Sequence, residues 1–187
     1  MAGTLRITGG TMVRQRFNVP NEADENLVRP ASDRVREAIY SSLGTHIIDA
    51  KVLDLFAGSG AYGFEAISRG AKTVFFTEKS RETAACVKAN IAKLKLGSVC
   101  KLRECDALTF VKYNVVGEGI FDLVFVDPPY TLKLEASFWS DLKPCLHEDT
   151  LVVFRCKSKE DFTLPEGYEF VREKKYGGTW VAFLRRV

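Results

Sequence analysis

The feature that most constrains the fold is an apolar segment, residues 51–56, that leads directly into a glycine-rich turn at Gly58 and Gly60. Glycine permits backbone conformations with positive φ, so the chain can turn tightly here and let a ligand approach the backbone. An apolar run that ends in such a turn and continues as a helical pattern is typical of a nucleotide-binding α/β sheet. Gly63 completes a G-x-G-x-x-G string that NAD sites share, so the string alone does not identify the cofactor.

Strand and helix patterns alternate along the rest of the chain. Apolar runs typical of strands occupy residues 51–56, 73–77, 99–103, 121–126 and 151–154. Amphipathic patterns typical of helices follow them at residues 61–69, 80–95, 107–113 and 134–142. Such alternation favours a parallel sheet with helices on both faces.

The last part of the chain predicts a different element. Two strand patterns, residues 168–174 and 179–185, flank Gly177-Gly178 and predict an antiparallel hairpin at one edge of the sheet. The predicted fold is therefore α/β, with a mostly parallel sheet, helices on both faces and a C-terminal antiparallel hairpin. This is the Rossmann-like architecture of class I methyltransferases.

The first 30 residues differ from the rest, because they show little helical periodicity. Ile7 and Phe17 are candidates to anchor two short strands, followed by a loop over residues 18–29. We therefore predict an N-terminal appendage, residues 1–30, ahead of a main domain, residues 31–187.

A further helix is predicted after Pro30, with Ser32 as its N-cap and Gly44 as its end. Arg34 and Arg36 fall on the face opposite to its apolar residues. Those apolar residues are Val35, Ile39, Tyr40 and Leu43.

Composition excludes several classes of protein. The 187 residues are 46% hydrophobic, yet no apolar run approaches the roughly 20 residues that span a bilayer. The N-terminus lacks the apolar region of a signal peptide, so we expect a cytoplasmic protein that does not contact membranes. The five cysteines form no Cys-x-x-Cys pair and the two histidines are isolated, so neither a disulfide framework nor a metal site is expected. Nothing argues for an oligomer, and a monomer is the default expectation.

Charge points weakly to nucleic acid. The net charge of +3 is only mildly basic, but every basic residue in the first 36 positions is an arginine, whose fork matches phosphate oxygens. These are Arg6, Arg14, Arg16, Arg29, Arg34 and Arg36. A solvated surface explains the same residues equally well.

Acidic side chains stand at the ends of the first three predicted strands of the main domain. Glu78 can accept hydrogen bonds from both hydroxyls of a ribose, and Asp106 can accept from an adenine amino group or cap the next helix. Asp54 can hold water or an ammonium group, which S-adenosylmethionine has and NAD lacks. The candidate cofactor site comprises Asp54, Phe56, Ala57, Gly58, Gly60, Glu78, Lys79, Asp106 and Ala107.

The fourth strand ends in the most informative motif, Asp127-Pro128-Pro129-Tyr130. An exocyclic amine on a purine is a poor nucleophile, because its lone pair is delocalised into the ring. The Asp127 carboxylate and the Pro128 carbonyl could accept its two N–H bonds and stabilise the positive charge that develops. Tyr130 could stack on the base for about 1–3 kcal/mol, once the base has left its own stack.

The glycine loop and residues 127–130 together resemble the amino-methyltransferases of DNA and RNA. Three more motifs are similar to the bacterial 16S rRNA guanine-N2 methyltransferases of the RsmD type. They are RITGG at residues 6–10, RPASDRVREA at residues 29–38 and EAISRGA at residues 65–71.

This resemblance implies methyl transfer from S-adenosylmethionine to the N2 of a guanine in 16S rRNA, within a partly or fully assembled 30S subunit. It implies that residues 127–130 are catalytic and that four arginines face the RNA. Those arginines are Arg14, Arg16, Arg34 and Arg36. The chain departs from the family pattern at Gln15, at Ala31, and at Arg155-Cys156, where a glutamate is common.

Three other functions remain open at this point. A DNA adenine-N6 methyltransferase would use the same motif, but the chain has no sizeable insertion for target recognition. An NAD-dependent oxidoreductase explains the glycines and Glu78 but gives residues 127–130 no task. A non-catalytic RNA-binding assembly factor would have no need of the intact cofactor motif.

Overall fold

A computed structural model of the chain describes residues 3–20, 32–114 and 119–187. The strands are β1 (Thr4–Arg6), β2 (Arg16–Asn18), β3 (Lys51–Asp54), β4 (Thr73–Glu78), β5 (Cys100–Glu104), β6 (Phe121–Val126), β7 (Leu146–Cys156), β8 (Tyr168–Tyr176) and β9 (Thr179–Arg186). The helices are α1 (Asp33–Leu43), α2 (Ala61–Ser68), α3 (Arg81–Lys93), α4 (Ala107–Thr109) and α5 (Ala136–Leu142).

Seven strands form one sheet, in the order β5-β4-β3-β6-β7-β9-β8. Strands β3 to β7 pair in parallel, whereas β9 lies antiparallel to both β7 and β8. The predicted fold class is therefore confirmed, including the C-terminal hairpin. The strand order reverses direction at β3, since β4 lies on one side of it and β6 on the other.

The sheet is covered on both faces, because successive side chains of a strand point to opposite sides. One face packs against α1, α2 and α3, as Ile39, Phe64 and Val87 show. The other packs against α4 and α5 through Ala107 and Phe138. The strands are consequently apolar on both sides, which is why they appear in the sequence as continuous apolar runs.

The N-terminal segment contains two short strands, as predicted, and they form a hairpin in which β1 pairs antiparallel with β2. Ile7 and Phe17 are each 1% exposed and belong to the same core as α1 and α2. The Phe17 ring lies 5.2 Å from that of Phe64. The hairpin therefore shares the core of the main domain. Most of the predicted loop that follows, residues 21–29, lies outside the described residues, as do Pro30 and Ala31.

A buried carboxylate, Glu65 on α2, attaches this hairpin to the main domain. It accepts hydrogen bonds from the Thr8 backbone N–H at 2.9 Å, from the Thr8 hydroxyl at 2.6 Å and from Arg69 Nε at 2.8 Å. Its side chain is 1% exposed, and the Arg36 guanidinium lies 3.8 Å away. Two of the motifs that carry the family resemblance, residues 6–10 and 65–71, thus meet at one interface.

Helix α1 begins and ends where the sequence predicted. Ser32 accepts a hydrogen bond from the Val35 backbone N–H, and Gly44 ends the helix with φ of 55°.

The prediction that Arg36 lies on the outer face of α1 was wrong. Its side chain is fully buried, and its guanidinium donates to the Arg6 carbonyl and to Asp33, both at 2.8 Å. The hairpin covers this side of the helix, so Arg36 is not available to RNA.

Several element boundaries also differ from the predictions. Strand β3 ends at Asp54 because the backbone turns there into the glycine loop. Strand β7 begins at Leu146, well before residue 151, and its pairing with β6 shifts register between Phe121 and Leu123.

Within the described ranges, no helix is long and apolar enough to cross a bilayer.

We expect Glu65→Ala to lower the free energy of unfolding by about 3–5 kcal/mol, because it removes a carboxylate from a buried set of charged and polar partners. Glu169→Ala is the matched control. Its carboxylate pairs with Arg185 at 2.9 Å but is 46% exposed, so its loss should cost no more than about 1 kcal/mol. Urea unfolding of both variants measures the difference, and equal losses would show that Glu65 does not anchor the hairpin.

Candidate active site

The candidate site lies at the carboxyl ends of β3, β4, β5 and β6. Ligands of open α/β sheets bind at this edge, next to the strand where the order reverses. The parallel pairing of β3 with β6 aligns Asp54 with Phe125, and Leu55 donates its N–H to the Phe125 carbonyl at 3.1 Å. The glycine loop after β3 and the Asp-Pro-Pro-Tyr motif after β6 are thereby brought side by side.

The glycines of the loop are required by its geometry. Gly58 and Gly60 have positive φ values of 51° and 79°, and Gly60 caps the N-terminus of α2. A Cβ at Gly63 would lie 2.1 Å from the Phe76 ring, so this glycine lets α2 pack closely on β4. The loop leaves a helix N-terminus at the edge of the sheet, which favours an anionic or polar ligand group.

Glu78 fastens the loop to the end of β4. One carboxylate oxygen accepts from the Gly58 backbone N–H at 2.9 Å and the other from the Ser80 backbone N–H at 2.8 Å. Each oxygen keeps a second lone pair, so the half-buried carboxylate can still accept hydrogen bonds from a ligand.

Asp54 is the most unusual carboxyl group of the site. It is fully buried; its Oδ2 accepts from the Gly63 N–H at 3.2 Å, whereas Oδ1 has no hydrogen-bond partner in the described part of the chain. Burial, and next the negative charges of Asp127 and Glu78, raise the pKa of Asp54 to about 8. A buried acceptor without a partner is costly, so the site is suited to a ligand that brings a donor or a positive charge.

The remaining predicted cofactor residues lie around the same edge. Asp106 caps α4, since its Oδ1 accepts from the Thr109 N–H at 3.1 Å. Ala57 and Ala107 are buried, Phe56 is half-buried against the Phe138 ring at 6.4 Å, and Lys79 is exposed.

The Asp-Pro-Pro-Tyr motif forms a rigid turn. The Pro129 carbonyl accepts from the Leu132 N–H at 2.8 Å, whereas no backbone N–H in the described residues donates to the Pro128 carbonyl. Tyr130 is 51% exposed, and its ring is open on the solvent side. The turn therefore presents a carboxylate, a carbonyl and an aromatic ring together.

Arg155 is the site residue that sequence reasoning did not assign. Its Nε donates to Asp127 Oδ1 at 2.7 Å, and both side chains are nearly buried. Burial raises the pKa of Asp127, and the positive charge of Arg155 limits the rise. The only signal in the sequence was the departure from the family pattern at this position.

Apart from the buried Arg36, the predicted RNA-binding residues are exposed. Arg14 adopts a positive φ of 71°, and Arg16 donates to the Thr4 hydroxyl across the hairpin at 3.0 Å. Arg34 is exposed near the start of α1.

Among the residues described, no group of three or more histidine, cysteine or acidic side chains could hold a metal ion.

Comparisons with known proteins agree with this architecture. Residues 5–185 match the family described as Conserved hypothetical protein 95. The Ribosomal RNA small subunit methyltransferase D of Haemophilus influenzae is 33% identical over 178 residues, which cover 94% of this chain and 90% of that protein. The solved structure named "Putative methyltransferase yhhF from Escherichia coli" is 31% identical, with a TM-score of 0.84 and 98% of each chain covered. The structure named "SMU.776, a putative methyltransferase complexed with SAH" is 14% identical and shares the fold, with a TM-score of 0.74 over 98% of this chain and 56% of that one.

The raised pKa of Asp54 predicts how stability depends on pH. The folded protein keeps this carboxyl protonated up to a pH of about 8, whereas the unfolded chain releases the proton near its ordinary pKa of 3.8. The folded state therefore binds more protons between these values, and the free energy of unfolding should fall as pH rises. Urea unfolding of the cofactor-free protein should show a shallower decline for Asp54→Asn than for the wild type, and identical slopes would contradict the assignment.

Proposed function

Because the chain belongs to the family described as Conserved hypothetical protein 95, we propose that it methylates the exocyclic N2 amine of a guanine in 16S rRNA. The coarser activity follows from the relatives: the chain is an S-adenosylmethionine-dependent rRNA methyltransferase. The match extends over nearly all of both chains, so it includes the site as well as the fold. The observation that carries the choice of an amine is the position of Asp127-Pro128-Pro129-Tyr130 beside the glycine loop.

The residues at the sheet edge fit S-adenosylmethionine. When bound, this cofactor supplies an electrophilic methyl group on a sulfonium ion. Asp54 offers a buried acceptor to its ammonium group, and the backbone at Gly58 and Gly60 leaves space for close approach. Glu78 would hold the ribose and Asp106 the adenine. Phe56, Ala57, Lys79 and Ala107 would complete the walls of the site.

On the substrate side, Asp127 and Pro128 would hold the two N–H bonds of the guanine amine. Asp127 Oδ1 is engaged by Arg155, which leaves Oδ2 to accept one N–H. The Pro128 carbonyl would accept the other, since it has no backbone donor of its own among the described residues. Two acceptors in place before the reaction direct the nitrogen lone pair and stabilise the charge that develops on the nitrogen.

Tyr130 would stack on the base, and Pro129 would keep the turn rigid. The ring is half-exposed at the mouth of the site, where a base that has left its own stack would arrive. Stacking on such a ring contributes about 1–3 kcal/mol and tolerates any base, so the choice of guanine must depend on its edges.

The RNA would extend from this mouth over the arginines outside the site. We assign Arg14, Arg16 and Arg34 to phosphate contacts, with residues 1–30 as the RNA-binding appendage and residues 31–187 as the methyltransferase domain. We take the substrate to be a partly or fully assembled 30S subunit, on which the protein acts as a monomer.

Three other candidate functions have less support. The relatives that match over the full length are named for rRNA, which disfavours a DNA adenine-N6 methyltransferase. The intact glycine loop and the free Asp54 acceptor disfavour a non-catalytic assembly factor. The relatives are named as methyltransferases, which argues against an NAD-dependent oxidoreductase.

In the decisive assay, the protein is incubated with radiolabelled S-adenosylmethionine and, separately, with unmodified 30S particles, free 16S rRNA or duplex DNA. The methylated nucleoside is then identified. We expect N2-methylguanosine in particles or rRNA. N6-methyladenine in DNA would replace the proposal with its rival. An absence of transfer to all three, despite cofactor binding, would favour the assembly factor.

We expect Asp127→Asn to reduce methyl transfer by about a hundredfold or more while the affinity for S-adenosylmethionine stays nearly unchanged. The amide keeps its oxygen toward Arg155 and so turns an NH2 donor toward the N–H bonds of the substrate. Asp122→Asn is the control, because Asp122 lies on the same strand at its opposite end and accepts from the Lys51 N–H at 2.7 Å. If Asp127→Asn retained normal turnover, the catalytic assignment would be wrong.

The proposed RNA surface predicts a change in salt dependence. Arg34→Ala should weaken binding to 16S rRNA at all salt concentrations and lower the slope of log affinity against log salt by about one. Lys112→Ala, on the opposite face of the sheet, should leave the slope unchanged. An unaltered slope for Arg34→Ala would remove α1 from the interface.

A further inference from the structure

Arg155 places a positive charge beside residues 127–130, the proposed catalytic turn. Strands β6 and β7 pair Val126 with Phe154, so the next residues of the two strands, Asp127 and Arg155, stand beside each other. Their side chains are 12% and 9% exposed and meet at 2.7 Å. An ion pair this far from water is strong only when geometry and further hydrogen bonds compensate for the lost hydration.

The same guanidinium also reaches the other end of the turn. Arg155 Nη1 lies 3.4 Å from the Tyr130 hydroxyl, and the guanidinium carbon is 5.6 Å from the centre of the Tyr130 ring. Different nitrogens serve the two contacts, which a planar fork can do and a lysine ammonium cannot. One side chain thus connects the carboxylate of the turn with its aromatic ring.

We propose that Arg155 is a positioning residue, which holds Asp127 and Tyr130 in the arrangement that receives the base. This inference rests on the proposed function. With Oδ1 engaged by Nε, the carboxylate is held against the guanidinium, and Oδ2 remains to accept the substrate N–H. The Tyr130 hydroxyl lies 3.4 Å from Arg155 Nη1 and 3.5 Å from Thr179 Oγ1, and these contacts favour one orientation of the ring.

Arg155 also lowers the pKa of Asp127, against the larger effect of burial. The groups that face this carboxyl are Arg155 from β7, Tyr62 from α2 and Asp54 from β3. The Tyr62 hydroxyl is buried near Asp127 and lowers the pKa of this carboxyl, whereas Asp54 adds a negative charge whenever it is ionised. Arg155 is therefore the only full positive charge in this set of three, and it opposes the effect of burial.

The test compares Arg155→Gln and Arg155→Lys with the wild type across pH, by single-turnover methyl transfer to the substrate that the wild type accepts. Asp127 must be ionised to accept the amine, so activity falls as pH decreases through its pKa. Without the adjacent positive charge this acid limb should move upward by about one pH unit or more in Arg155→Gln. At neutral pH the rate should fall roughly ten- to a hundredfold, with little change in the affinity for S-adenosylmethionine.

Arg155→Lys separates charge from geometry. It should leave the acid limb near that of the wild type but still lower the rate, because one ammonium cannot serve both Asp127 and Tyr130. Carbon-13 NMR of the aspartate carboxyls in the cofactor-free protein measures the pKa of Asp127 without relying on activity, and this pKa should rise in Arg155→Gln. Arg185→Gln is the control for the lost charge, since its pair with Glu169 is exposed.

Two results would overturn the proposal. One is an Asp127 pKa and an acid limb in Arg155→Gln that coincide with those of the wild type. The other is an Arg155→Lys variant with full wild-type activity. Failure of the wild type to methylate any substrate would instead count against the proposed function, and the NMR titration would still test the pairing of Arg155 with Asp127.

Discussion

The parallel pairing of β3 with β6 is the interaction on which the site depends. These strands are far apart in sequence, with α2, β4, α3, β5 and α4 between them, yet their hydrogen bonds align Val52 with Leu123 and Asp54 with Phe125. Because parallel strands end at the same edge, the glycine loop and the catalytic turn are placed together without any direct contact being needed between them. A shift by one residue would exchange the two faces of the strand and separate the acidic groups.

A second set of contacts explains why motifs outside the site are part of the same pattern. Glu65 and Ser68 of α2 bind the backbone around Thr8 and Gly9, and Arg36 fills the space between α1 and the hairpin. A Cβ at Gly10 would lie 1.8 Å from the Ser68 carbonyl, so the glycine permits this approach. These residues build the platform that holds the exposed arginines, and only those exposed arginines remain candidates for RNA contact.

The site concentrates charge that burial disfavours. The negative charge of Asp127 opposes the ionisation of Asp54, and both carboxyls are removed from water. Arg155 compensates for Asp127, whereas Asp54 has no such cation in the described residues. This asymmetry suits the proposed function, in which Asp127 would hold the substrate amine and Asp54 the positively charged group of the cofactor.

The sequence by itself determined the features that depend on local chemistry. The alternation of strand and helix, the Ser32 cap, the glycine turn and the rigid Pro128-Pro129 turn each follow from the conformational preferences of neighbouring residues. Those features were enough to predict the fold class and the residues gathered at the sheet edge. Only the tertiary structure decided that Arg36 is buried and that Arg155 pairs with Asp127. Helical periodicity could not reveal the hairpin that covers Arg36, and strand register brings Arg155 to a residue 28 positions earlier, a contact that no local pattern encodes.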